Sequence, residues 1–472
     1  MFIRRLFTSL ALLGLSLTAA FSQNLYSTIA TPGNPANIQG MMMGDDIFLS
    51  MQLQGGQGLL SVLVQPDGEY RKLDLSSIGK NPIVAGVTRN DSTCFYYLKY
   101  LNKRVVLSTL LMNQENDQGQ QLSETIDIPG VIYGSYVEGS DLFMLCGVKD
   151  EFKLKLLQIR NGQLHSTSEF GLTFNLGKKK GQRVTFYDMS NPVAPQQVIG
   201  DVKICKDGRA IWILVDEPMD DNDVTMTNMT MFRTTAIKLD LDTKKTAVKS
   251  FYELTKTRFT SSVFNGDIIR MVLDNGLRVE QFDFNTGKKK GSMLLPWGKD
   301  IRRDSTYVRI GSSFKTLKDI RGAAVLNRVF GSYIIVDSLA NGERVFTIGD
   351  YGDKYPYMFL FGGPLPIVNL IITASSLVVG ELVEGSISTV YFYYRGSMDN
   401  GMHPTYDVPL LRKRVDDFDY SQTKKRIKFS YRGYINLPQT TYEISQQEGS
   451  DKIEIRKFQT DVPSASTPAG GQ

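Results

Sequence analysis

The sequence predicts an all-β fold made of one repeated antiparallel unit, and three observations predict it. The first is the stretch from Gly44 to Leu75, which reads strand, turn, strand, turn, strand: IFLSMQL, LLSVLV and YRKLDL, separated by QGGQG and QPDGE. Gly-rich and Asp-Gly connections between β-rich runs are hairpin signals. The second is recurrence: variants of this unit return with starts roughly 45 to 70 residues apart, the larger gaps holding insertions, and four-stranded repeats at such periods are the mark of blades. The third is burial chemistry. In AIWILV both alternating sets of residues are apolar, which parallel sheets achieve by covering themselves with helices, yet almost no helical periodicity is present to supply them. Blades stacked face to face bury both sides without helices. The expected fold is therefore a single β-propeller of seven or eight blades over residues 44–460. Separate β-sandwich domains are the alternative, and they predict stricter in/out alternation.

Taken in order, the chain opens with MFIRRLFTSLALLGLSLTAAFSQ, which has the parts of a secretory signal over residues 1–22. Arg4 and Arg5 give the basic start, Leu6 to Ala20 the apolar run, and Ala20-Phe21-Ser22 a small-residue cleavage site. A spanning helix needs roughly 20 apolar residues; this run is shorter and interrupted by Thr8, Ser9 and Ser16. No other run is long and apolar enough to span a bilayer. Residues 23–43 form a lead-in in which LYSTIA can add a closing strand to the terminal unit around KIEIRKF, removing a free sheet edge.

The first unit follows at Gly44. A second begins near Asn90 with CFYYLKY and RVVLSTLLM, a third near Gly139 with DLFMLCGV and FKLKLLQI, and a fourth near Asp207 with RAIWILVD, TTAIKLDL and TAVKSFY. The fifth reads GDIIRMVL, LRVEQFDF and SMLLPW. A sixth spans Val325 to Gly349, a seventh runs from Ser375 through STVYFYYR, and an eighth starts near Lys425 with RIKFSYRG, TTYEIS and KIEIRKF. Weaker segments between units, PIVAGVTR and GVIYGSYV among them, are expected to supply each inner strand. Residues 461–472, rich in Ser, Pro and Gly, read as a disordered tail.

Composition narrows the function. The 54 basic and 49 acidic residues give +5, and removal of Arg4 and Arg5 leaves 52 − 49 = +3. So small an excess gives no support for nucleic-acid binding. Cys94, Cys146 and Cys205 each sit in an apolar, strand-like run and read as buried free thiols. One disulfide in an oxidising compartment is the alternative, with a connectivity the sequence does not give.

The chemistry-bearing signals are few. Only His165 and His403 are available for a Ser-His-Asp or Cys-His mechanism, and neither has an informative neighbourhood. There is no G-x-S-x-G elbow, P-loop, paired-Cys or HExxH motif, and no cofactor or metal is expected. The loop DEPMDDNDVTMTN gathers Asp216, Glu217, Asp220, Asp221 and Asp223 without the alternating ligands and central Gly of an EF-hand, and reads as an acidic loop. The octapeptide FNLGKKKG at Phe174 returns as FNTGKKKG at Phe284. It reads as a turn plus the start of an outer strand whose lysines guard an exposed edge; the alternative is a cationic tip for anionic glycan or lipid headgroups. YGDKYPYMFLFGGPLP supplies the candidate binding residues: Tyr351, Tyr355 and Tyr357 as partner anchors, with its phenylalanines buried.

The chain resembles β-propellers as a class over nearly all of its length after the signal. It lacks the GH…WD pairs of WD40 repeats, the Gly-Gly doublets of kelch repeats and the S-x-D-x-G-x-T-W box of sialidases. What the resemblance implies is a non-catalytic, exported protein-binding or scaffolding subunit, periplasmic or peripheral to the outer membrane, with extracellular release as the alternative. Its partner would be a protein, such as a secretion translocon of the outer membrane, of which a plug of the type 9 secretion pore is an example. The competing function is a glycan-binding or glycan-cleaving propeller that uses carboxylates near its central axis.

Overall fold

Alternating, β-branched and aromatic runs punctuated by tight turns produce the strands, and they come in the expected groups. The computed structural model describes residues 25–459 apart from 54–58, 114–118, 177–183, 190–197, 219–229, 297–305, 316–331, 339–343, 351–389, 399–403, 408–428 and breaks of one to three residues elsewhere. A lone first strand, β1 (Leu25–Ala30), precedes blade 1, which is β2 (Pro35–Met43), β3 (Asp46–Leu53), β4 (Leu59–Val64) and β5 (Tyr70–Leu73). Blade 2 is β6 (Ile83–Arg89), β7 (Ser92–Leu101), β8 (Arg104–Asn113) and β9 (Gly119–Asp127). Blade 3 is β10 (Gly130–Glu138), β11 (Asp141–Val148), β12 (Lys153–Arg160) and β13 (Gln163–Gly171). Blade 4 has five strands, β14 (Val184–Asp188), β15 (Val202–Asp207), β16 (Ala210–Pro218), β17 (Thr230–Asp240) and β18 (Thr246–Thr255). Blade 5 is β19 (Phe259–Phe264), β20 (Asp267–Leu273), β21 (Gly276–Asp283) and β22 (Lys289–Pro296).

Blade 6 is larger: β23 (Thr306–Ile310), β24 (Ser313–Lys315), β25 (Ser332–Ser338), β26 (Arg344–Asp350), β27 (Val390–Met398) and β28 (Pro404–Asp407). Blade 7 joins β29 (Phe429–Asn436), β30 (Thr440–Gln447) and β31 (Lys452–Gln459) to β1 in the order β1-β31-β30-β29. The fold is all-β, in small and mostly antiparallel sheets of the kind the propeller reading expects as blades; seven are found among the described residues. They fall into two compact units, one built on residues 1–80, 357–361 and 411–472 and holding blades 1 and 7, the other on 81–356 and 362–410 and holding blades 2 to 6.

The segments PIVAGVTR and GVIYGSYV are the first strands of their sheets, β6 and β10, paired antiparallel to β7 and β11. LYSTIA is β1, and it runs antiparallel to β31 with Ile29 opposite Ile453. Its Thr31 caps the pairing, since both its N–H and its hydroxyl donate to the Asp451 carbonyl. Two hairpins turn through Asn-Gly: Asn161-Gly162 at φ 51° and 79°, and Asn265-Gly266 at 50° and 78°. These are the paired left-handed residues that two-residue turns require.

The pairing of the strands departs from the sequence reading in blades 4 and 6. β14, a strand the sequence reading did not assign, runs parallel to β15, with Val184 opposite Val202. The connection between them is long enough to return the chain to the same end of the sheet. The expected sixth and seventh units are also one sheet, ordered β24-β23-β27-β26-β25 with β28 on β27. The strand STVYFYYR pairs with both β23 and β26, from opposite sides.

Burial on both faces is plain in β7, where Thr93 to Leu98 are all buried, and in β16, where Ala210 to Val215 are. One core cluster joins blades 2 and 3 through Tyr96, Leu107, Met144 and Ile159. Another joins blades 3 and 4 through Tyr136, Leu156, Phe186 and Ile213. Within the other unit, Ile47, Val62, Ile444 and Ile455 join blades 1 and 7. Trp212 is 2 % exposed and stands edge-on to Phe284, ring centroids 4.8 Å apart. Cys94, Cys146 and Cys205 are buried free thiols; burial pushes Cys146 up to about 12.

Candidate interaction face and the charged seam behind it

Tyr351, Tyr355 and Tyr357 lie outside the described residues, as do His403 and the acidic Asp220, Asp221 and Asp223. His165 is exposed on β13, the last strand of its sheet. Asp216 and Glu217 correct the sequence reading. They end strand β16 and are not part of an acidic loop.

Asp216 is tied into a buried network. Lys203 on β15 donates from Nζ to Asp216 Oδ2 at 2.6 Å, to Thr260 Oγ1 at 2.6 Å and to the Ser261 carbonyl at 2.9 Å. Asp216 also accepts from Thr234 Oγ1 at 2.7 Å, Ser261 N at 2.9 Å and Ser261 Oγ at 2.7 Å. Each ammonium proton and both carboxylate oxygens therefore have partners, which is the condition for tolerating a charge pair away from water. A lysine beside a serine invites comparison with a nucleophilic dyad. However, the Ser261 hydroxyl donates to Asp216, Lys203 addresses the serine's carbonyl, and Ser261 is 1 % exposed. The network fastens blade 4 to β19 of blade 5. Glu217 has its own partner in Arg233 across the β16–β17 pair.

A second network crosses the same seam further out. Arg270 on β20 donates to Glu253 Oε2 at 2.7 Å, Glu280 Oε2 at 3.0 Å and the Tyr252 carbonyl at 3.1 Å. Arg278 bridges Glu253 and Glu280 from the other side, and Lys289 reaches Glu280 at 2.7 Å. The Arg270 guanidinium lies 4.7 Å from the centre of the Phe282 ring. Burial alone would raise Glu280, but hydrogen bonds from Lys289 and Arg270 outweigh it and hold its carboxyl below the usual range.

These contacts set the orientation of β18. Lys249, Phe251 and Glu253 point at blade 5: Lys249 Nζ donates to the Asn285 carbonyl, Phe251 packs on Phe282 with centroids 5.3 Å apart, and Glu253 holds the two arginines. Strand alternation then turns Val248, Tyr252 and Leu254 to the opposite face. They are 45 %, 55 % and 41 % exposed. β18 is also the last strand of its sheet, so a mainly apolar row, interrupted by Ser250 and with Tyr252 hydrogen-bonded to Arg233 on β17, lies along an open strand edge. The matching edge of blade 5 is more charged: β22 begins with Lys289 and Lys290, both in ion pairs, Lys290 meeting Asp267 at 2.6 Å, and it carries one exposed large apolar side chain, Leu294. A bare apolar edge is the kind of surface that chains normally guard or cover.

Among the described residues, no three His, Cys, Asp or Glu are grouped to hold a metal ion. No helix among them is long and apolar enough to cross a membrane. Sequence reasoning missed Lys203 and Tyr252. A lysine inside the apolar run VKICK was the available signal for the first; TAVKSFYELT, an outer strand without the usual charges on one face, was the signal for the second.

No family model matches the chain, and no curated protein does. Among solved structures, the chain is similar to BamB from Moraxella catarrhalis at 9% identity and TM-score 0.27, over 92% of this chain and 99% of that one. It is similar to a chain of the mitotic checkpoint complex at 7% identity and TM-score 0.27, over 93% and 95%. Oligopeptidase B from Leishmania major matches at 10% identity and TM-score 0.30 over 68% of this chain, which spans 54% of that enzyme's length.

Proposed function

We propose that this chain is a non-catalytic, exported protein-binding or scaffolding subunit of a bacterial cell envelope, docked to an outer-membrane complex such as a secretion translocon. The observation that carries the reading is the row of Val248, Tyr252 and Leu254 on edge strand β18. A tyrosine beside Leu254, with Val248 further along the same face, offers large, rigid contact area with a polar tip, a residue type enriched at protein interfaces. The ion-pair network behind β18 holds the strand in place before a partner arrives, so docking does not have to order it. The basic start, apolar run and small-residue cleavage site of residues 1–22 support export.

Affinity purification of the tagged chain from its native envelope, with and without detergent, tests the reading. A stoichiometric envelope protein lost on Tyr252→Ser and Leu254→Ser substitution is the expected result. Recovery of the wild type as a lone monomer would overturn it.

A further inference from the structure

Blades 4 and 5 carry the same hairpin at the same place. In the β17–β18 turn, Asp240 N donates to the Lys245 carbonyl at 3.0 Å and Lys244 N to the Asp240 carbonyl at 3.0 Å. In the β21–β22 turn, Asp283 N donates to the Lys288 carbonyl at 2.9 Å and Gly287 N to the Asp283 carbonyl at 2.8 Å. Each aspartate also accepts the N–H of the threonine three residues on, Thr243 and Thr286. Lys244 thus stands where the sister turn has Gly287, and both are left-handed, at φ 58° and 75°. Among the described residues, every other positive-φ position is Gly or Asn. A lysine there costs conformational energy that glycine avoids. Strain of this kind points from the outlier to a use for its side chain.

The surroundings say what that use is. Lys249 reaches from β18 to the Asn285 carbonyl at 2.5 Å, so the blade 5 tip lies against β18, the strand that leaves the blade 4 tip. The carboxylates at the tips are already engaged: Asp240 by its own turn, Asp242 by Arg209 at 2.7 Å, and Asp283 by its turn and Lys290 at 3.2 Å. Lys244, Lys245 and Lys288 are exposed, and no carboxylate pairs with them among the described residues.

We infer that Lys244, Lys245 and Lys288 form a cationic contact with an anionic lipid surface. The tips are convex hairpin ends, which suit a flat headgroup layer. Flexible ammonium groups without stacking aromatics suit diffuse negative charge and offer no platform for bases or sugars. The inference stands apart from the β18 docking face and survives if that reading fails.

The test is co-sedimentation of the full chain with vesicles of phosphatidylglycerol and phosphatidylcholine, against phosphatidylcholine alone, at low and high salt. Residues 1–22 carry an apolar run and two arginines of their own, so the contribution of the tips is read as the difference between wild type and the lysine variants on acidic vesicles. Wild type is expected to prefer acidic vesicles and to lose that preference in high salt. Each lysine removed should weaken partition about fivefold, and Lys244→Gly, Lys245→Gln and Lys288→Gln together on the order of a hundredfold. Lys244→Gly fits the turn better than lysine does, so its loss of binding should come without a fall in the urea midpoint. Equal binding to neutral vesicles, or a triple variant that binds like wild type, would overturn the inference. So would binding to a soluble sulfated glycan with no partition to acidic vesicles.

Discussion

Lys203 and Asp216 meet at 2.6 Å with side-chain exposures of 2 % and 8 %, a salt bridge between adjacent strands of blade 4 whose other hydrogen bonds, apart from one to Thr234, reach into blade 5. Removing one partner leaves a buried charge alone. Lys203→Met should therefore cost about 3–5 kcal/mol, while adding Asp216→Leu should return part of the loss. Urea unfolding of the two variants checks this; a double variant no more stable than the single would show that the pair is not the unit.

Gly134 lies against the Phe186 ring, with an added Cβ falling 2.1 Å from the ring. Gly134→Ala should cost about 1–3 kcal/mol by overpacking blade 3 on blade 4. Its cost should shrink in a Phe186→Leu background, which a double-mutant cycle measures. Gly139, left-handed at φ 60° with open space around it, provides the contrast. Alanine there should lose about 1 kcal/mol from backbone strain alone, whatever residue 186 is.

Acid should loosen blade 5. Hydrogen bonds from the Thr286 N–H and hydroxyl, with help from Lys290, hold Asp283 down at about 2, and Glu280 is also lowered. A carboxyl depressed on folding contributes stability above its ordinary pKa and loses it as pH falls through the folded value. Asp207 is raised, chiefly by burial, so its contribution runs the opposite way and fades as pH rises. The stability gap between wild type and Asp283→Asn should be open at neutral pH and close between roughly pH 4 and pH 2. Urea midpoints across that range test it, and a gap that stays constant with pH would contradict it.

Much of this architecture was legible because hairpins are local. GDDIFLS, GSDLFML and GDIIRMVL each start with a Gly, then an Asp one or two residues on, then an apolar run. In the structure the recurring Asp141 and Asp267 are each bound by a glutamine on the next strand, Gln158 at 2.7 Å and Gln281 at 2.5 Å. The parallel pairing of β14 was not legible, since Val184–Asp188 carries no mark of its partner's direction. Nor was the merging of two units in blade 6, where Tyr307 faces Tyr393 across more than eighty intervening residues and no turn signal spans that distance. Asp216 was read with the acidic residues after it because its partner Lys203 becomes a neighbour only once the β15–β16 register is known. Tyr252 was hidden for a similar reason. Which face of TAVKSFYELT is covered depends on Arg270 and Phe282 in another blade.

Surface substitutions on β18 should separate binding from folding. Leu254→Ser removes an exposed side chain and should move stability by no more than about 0.5 kcal/mol, while Tyr252→Ser also removes a hydrogen-bond partner of Arg233 and should cost about 1 kcal/mol. Glu253→Gln, one residue between them, should destabilise because it breaks a buried guanidinium–carboxylate network. Thermal unfolding of the three variants side by side checks the alternation.

Photo-crosslinking from position 252 in the native envelope tests the central claim most directly, with exposed position 164 on β13 as the control. A docking face on β18 predicts one discrete protein adduct from position 252 and none from position 164. No adduct from 252, or the same diffuse adducts from both positions, would contradict it.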